Sequence, residues 1–182
     1  MPRAVLLAVA ALLALAPAAA SGQTTVTVPG VPAAGPAKYD KSFVTKIGPS
    51  SAKTVLVLVP GYAGGAGGFL QVGRDLVKQV PGMQVWALDR RSQALEDTSY
   101  FERGLRGQVT PQQVFDYYLG WIGNEGQQPR FTPPDTKSLS FARDWGLPTH
   151  LGDLRRVIVS AKRQGKRVIL GGHSLGGSNP AN

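Results

Sequence analysis

Ser174 lies in the stretch Gly171-Gly172-His173-Ser174-Leu175-Gly176-Gly177, with a glycine two positions to either side of it. A serine at the tip of a sharp strand-to-helix turn exposes its hydroxyl near a helix N-terminus. There, backbone N–H groups and the helix dipole favour the negative charge that develops when the hydroxyl attacks a carbonyl. Side chains on the flanking positions of such a turn would crowd strand and helix backbone, so Gly172 and Gly176 read as the glycines of a nucleophile elbow. A serine nucleophile needs a base, and the chain has two histidines, His150 and His173. His173 adjoins the nucleophile and reads as a buried structural histidine. His150 lies at the start of an expected helix. Cysteine is absent, which excludes a disulfide framework, a thiolate zinc site and a cysteine nucleophile. No metal or organic cofactor is implied.

The elements that must position the serine follow from the apolar pattern. "SFVTKI" (42–47) alternates and reads as a half-buried strand. "TVLVLV" (54–59) is apolar without a break, as in a strand covered on both faces. After it come the glycine loop "PGYAGGAGG" and then "FLQVGRDLVKQV", with Phe69, Val72, Leu76, Val77 and Val80 at helical spacing. "MQVWAL" follows as a strand ending at Asp89. That order is one βαβ unit. In "THLGDLRRVIVSAKRQG", Leu151, Leu154, Val157, Ile158 and Ala161 fall on one helical face, and "KRVIL" reads as a third buried strand running into the elbow.

Between these, residues 91–148 carry nine of the fourteen aromatic residues. They include a helix with Thr110 as N-cap, Pro111 in its first turn, Gln113 completing a capping box and Gly123 as its stop. Val114, Tyr118, Trp121 and Ile122 form its apolar stripe, which suits either packing on the domain core or a lid over a cleft.

The formal charge is +9, with its densest cluster at Arg155, Arg156, Lys162, Arg163, Lys166 and Arg167. No aromatic stacking pattern or nucleic-acid motif accompanies it, so the cluster reads as a solvated outer face and no nucleic-acid partner is expected. Residues 1–20 read as a secretory signal. Arg3 gives the basic start, Ala4 to Ala16 the apolar run, Pro17 the break, and cleavage is expected near Ala20–Ser21. Thirteen apolar residues span about 20 Å as a helix, short of a hydrocarbon core near 30 Å, so no stable membrane span is expected in the mature chain. Residues 21–41 read as an extended Pro/Gly-rich lead-in with "TTVTV" as an edge strand at best.

The elbow, together with the loop after "TVLVLV", resembles the α/β-hydrolase family, over residues 42–90 and 149–178. In that family the strand ends in a His-Gly or similar pair; here the pair is Pro60-Gly61. The resemblance implies that the backbone N–H groups of Tyr62 and Leu175 form an oxyanion hole. "LDRRSQALED" is similar to another stretch of the family at Asp89 and Arg91 alone. The resemblance also implies a catalytic acid and then a histidine after the serine, and the eight residues after Ser174 hold neither.

The expectation is therefore the N-terminal half of an α/β-hydrolase fold, a mostly parallel sheet with helices on both faces. Residues 42–182 form an incomplete domain with 91–148 as insertion or lid. As a function it implies a secreted serine hydrolase acting on an ester, thioester or amide of a small or lipid-like acyl substrate, shortened before its acid and histidine and inactive alone. The alternatives are a non-catalytic binding protein using the aromatic segment, an active short hydrolase with His150 as base, and a dinucleotide-binding βαβ protein. No window from Gly61 to Gly68 reads G-x-G-x-x-G, which counts against the last.

Overall fold

Val55, Val57 and Val59 point to one side of a strand and are fully buried, while Leu56 and Leu58, pointing to the other, are half-buried. That asymmetry reflects what covers each face of the sheet. The computed structural model describes residues 22–178 apart from 125, 127, 129, 132 and 133. The expected signal, residues 1–20, lies outside the described residues.

Five strands form one sheet: β1 (Gln23–Pro29), β2 (Lys41–Ile47), β3 (Thr54–Val59), β4 (Met83–Asp89) and β5 (Arg167–Gly172). Their spatial order is β1-β2-β4-β3-β5. β3 runs parallel to both β4 and β5, whereas β1–β2 and β2–β4 are antiparallel. The fold is thus α/β, but its sheet is mixed rather than mostly parallel. Parallel neighbours need a long crossover, and the short link from Pro29 to Lys41 joins β1 and β2 as antiparallel partners instead. "TTVTV" belongs to a seven-residue edge strand whose register runs from Gln23 opposite Ile47 to Pro29 opposite Lys41.

Two helices flank the sheet on opposite faces. α1 (Leu70–Gln79) sets Gly73 against Ile47 and Val85; a side chain there would meet the Ile47 Cδ1 at 2.7 Å. The longer α4 (Leu147–Arg163) buries Leu154, Val157 and Ala161 against Val28, Val44, Trp86, Leu88 and the three β3 valines. Each such side chain contributes roughly 1.5–3 kcal/mol through burial. α4 starts earlier than its apolar spacing predicts, with Pro148 in its first turn. Among the described residues no helix is long and apolar enough to cross a membrane.

β5 departs from the reading of a third buried strand. It is an edge strand, and Ile169 is 39% exposed on the face that α1 does not reach. Its apolar run reflects contact with β3 on one side and α4 on one face only. The basic cluster is exposed as expected except at Lys166, which is buried. Its ammonium donates to the carbonyls of Ser50 (2.8 Å) and Ala52 (2.7 Å), tying β5 to the turn before β3.

Residues 91–148 contain no strand among the described residues and two short helices, α2 (Ser99–Leu105) and α3 (Pro111–Tyr118). The Thr110–Gln113 capping box is formed in both directions. α3 ends at Tyr118, five residues before Gly123, and its aromatic residues pack on α2. Tyr117 stacks on Tyr100 with centroids 3.7 Å apart, and Tyr118 stacks on Phe101 at 4.6 Å. Ile122 is left 60% exposed.

Candidate active site

The turn after β5 is built as its glycines demand. Ser174 has φ 53°, in the left-handed region, and it is one of two non-glycine residues so placed among the described residues. For a residue with a Cβ this costs about 1–2 kcal/mol, held by the surrounding structure. α5 (Leu175–Ser178) starts at the next residue. A Cβ on Gly172 would lie 2.2 Å from the Gly176 carbonyl oxygen, and one on Gly176 would lie 2.1 Å from the Val59 oxygen and 2.5 Å from the Pro60 oxygen. The strand, the elbow and the end of β3 are therefore interlocked backbone to backbone, with no room for a methyl group. The Ser174 side chain is exposed on top.

The loop after β3 comes to the same place. A Cβ on Gly61 would sit 3.1 Å from the Ser174 Cβ and 3.2 Å from the His173 Nδ1, closer than most side chains pack, so glycine favours this close approach. β3 leads on to β4 on one side of itself and has β5 on the other. The two loops thus meet outside the carboxyl ends of neighbouring strands where the strand order reverses, the usual ligand crevice of open α/β sheets. Among the described residues, neither the Tyr62 N–H nor the Leu175 N–H donates to another group. Tyr62 and Leu175 line one cavity of about 440 Å³ together with Ala63, Arg90, His150 and Ser178.

In the glycine loop, a Cβ on Gly65 would fall 2.6 Å from Asp89 Oδ1, so the carboxylate would have to shift to admit a side chain. Gly67 and Gly68 face open space and carry no such requirement. Asp89 Oδ1 accepts the Ala66 N–H at 2.5 Å, so the acid at the end of β4 anchors the loop. Burial pushes the Asp89 carboxyl above its ordinary range, against the opposing pull of that N–H. Glu96 is also raised, by burial and then by the charge of Asp89.

His173 is exposed, contrary to the reading of a buried structural residue. Its backbone N–H donates to the Val59 carbonyl at 3.1 Å, which turns the side chain over the glycine loop instead of into the sheet. His150 is half-buried, and burial followed by the charge of Arg90 lowers its pKa below the ordinary 6.5. Asp153 and the Trp145 carbonyl oppose that shift. The shift favours the neutral imidazole, the form that can accept a proton. Among the described residues, no side chain is hydrogen-bonded to the Ser174 hydroxyl.

Arg91 and Asp89 stand apart from each other in role. The Arg91 guanidinium is fully buried, bound to both carboxylate oxygens of Asp153 (2.8 and 2.7 Å), to Asp40 (2.8 Å) and to the Val31 carbonyl (2.7 Å). It ties the segment before β2 to α4 and lies away from the serine. The residues that the sequence reading missed are Arg90 and Ala63. Arg90 reaches the carbonyls of Pro60 and Gly61, and Ala63 shares the left-handed conformation with φ 53°. Two adjacent arginines at the end of a strand were the available signal, since successive side chains diverge there. No known family model matches the chain, and no curated protein is significantly similar to it.

Proposed function

We propose that the chain is a secreted serine hydrolase of the α/β-hydrolase type, with Ser174 as nucleophile and the N–H groups of Tyr62 and Leu175 as oxyanion hole. Its substrate class is an ester, thioester or amide. The observation that carries this reading is the backbone interlock at the elbow. A serine is held at φ 53° between two glycines at which an added methyl would collide with backbone, beside a loop in close contact with it. Strain of this kind persists where it serves a reacting group. Attack by Ser174 on a carbonyl would develop charge on its oxygen, which these two N–H groups would stabilise, and one such donor is worth about 3–4 kcal/mol in the transition state.

Among the described residues no base is bonded to the Ser174 hydroxyl, so Ser174 attacks without general-base help and only the oxyanion donors assist it. The expected result is slow hydrolysis of an activated ester such as p-nitrophenyl acetate, lost in Ser174→Ala and unchanged in His150→Ala. Equal rates for the parent and Ser174→Ala chains would sink the proposal.

A second reading, with His150 as the base, is favoured by its position in the same cavity as Tyr62 and Leu175. It predicts fast turnover abolished by His150→Ala. The pH dependence has a definite sign: a base works when neutral, and burial lowers the pKa of His150. The rate would therefore rise with pH, with its midpoint below the ordinary value of 6.5. A midpoint above 6.5 would exclude His150 from that role.

A further inference from the structure

We propose that Arg90 is the positioning residue of the oxyanion loop, fixing the direction of the Tyr62 N–H; this rests on the hydrolase reading above. The Arg90 Nη1 donates to the Gly61 carbonyl at 2.8 Å, and Nη2 donates to the Pro60 carbonyl. In a trans peptide the C=O of one residue and the N–H of the next are coplanar and point in opposite directions. Drawing the Gly61 oxygen toward Arg90 therefore aims the Tyr62 N–H the other way. The Gly64 N–H, bonded to the same Gly61 oxygen at 3.2 Å, closes the turn around this peptide.

The arrangement suits arginine alone. A guanidinium presents two N–H groups in a rigid fork and can hold two successive carbonyls, whereas an ammonium is a single point. Arg90 is half-buried, and among the described residues no carboxylate pairs with it. Its charge is thus left to polarise the Gly61–Tyr62 peptide, which strengthens the N–H as a donor. Burial lowers its pKa from the ordinary value, because desolvation disfavours the cation. Arg90 lines the same cavity as Tyr62 and Leu175, but it acts through the loop and not on the substrate.

The test compares the full chain with Arg90→Ala and Arg90→Lys, using p-nitrophenyl acetate and taking Ser174→Ala as the blank. Loss of an aimed oxyanion donor lowers kcat about 100-fold in Arg90→Ala, with KM changed less than about twofold. Arg90→Lys recovers little of the loss, and free guanidinium ion added to Arg90→Ala recovers part of it. Amide exchange at Gly64 is faster in both variants, because its acceptor is no longer held. A Ser174-dependent rate that stays at the parent level in a folded Arg90→Ala chain overturns the proposal, as does full activity in Arg90→Lys. If the parent and Ser174→Ala chains hydrolyse the ester equally, the hydrolase reading has failed, and the proposal fails with it. A variant that melts far below the parent is replaced by Arg90→Lys, where unchanged Gly64 exchange is equally fatal.

Discussion

Alanine at Gly176 is expected to destabilise the protein by about 3 kcal/mol or more and to abolish any Ser174-dependent turnover. The added methyl would stand 2.1 Å from the Val59 oxygen and 2.5 Å from the Pro60 oxygen. Both are backbone atoms, so no flexible side chain can give way, and α5 must lift off the end of β3. Gly172→Ala meets the same obstacle from below, at 2.2 Å from the Gly176 oxygen, and is expected to cost a similar amount. Gly177→Ala is the control. Its nearest neighbour outside the helix backbone is the Gly172 oxygen at 3.4 Å, ordinary contact, and a change within about 0.5 kcal/mol is expected. Denaturant midpoints of the three variants decide the matter. A Gly176→Ala chain as stable as its parent would mean that the interlock does not exist.

Replacing Arg91 with methionine is expected to cost about 3–5 kcal/mol, because it leaves Asp153 buried without its cation. Asp153 is only 4% exposed, and both its oxygens bond to the guanidinium. Asp40 loses its partner at the same time. Arg91→Lys is not expected to rescue the loss, since one ammonium cannot serve Asp153, Asp40 and the Val31 carbonyl in the fork geometry. A double change, Arg91→Met with Asp153→Leu, removes both charges and is expected to recover much of the stability. The loss should be nearly independent of salt, in contrast to the exposed Glu102–Arg106 pair at 3.6 Å, whose small contribution is screened. Thermal melts at low and high ionic strength separate the two cases. Strong salt dependence at Arg91 would contradict its burial.

What the sequence made legible was local. The elbow rests on spacing within seven residues and on the strand before it, and both glycines proved sterically necessary. The capping box at Thr110 and the helix around Leu154 are likewise written in neighbouring positions. What stayed illegible depended on partners far along the chain. Arg90 and Arg91 are alike as letters, yet one holds the glycine loop and the other is buried with Asp153, 62 residues away. Lys166 sat in a basic run, and only the approach of the Ser50 and Ala52 carbonyls explains its burial. His173 was misjudged because the direction of a side chain on an elbow depends on the Val59 carbonyl that its N–H meets.

The pairing of β5 with β3 also governs when the serine becomes strained during folding. Lys166 at the head of β5 bonds to Ala52, 114 residues earlier, and the His173 N–H closes on Val59 from the same distant strand. Contacts of such long sequence separation pay their loop-closure entropy before they return any stabilisation, so they form slowly. The hairpin of β1 and β2 and the β3-α1-β4 unit can assemble first, from shorter loops. Until β5 docks, nothing compels Ser174 into its left-handed conformation, and the backbone of a nascent or partly folded chain relaxes to ordinary values. Ser174 takes its left-handed conformation only in the finished sheet, and a half-folded chain carries a serine like any other.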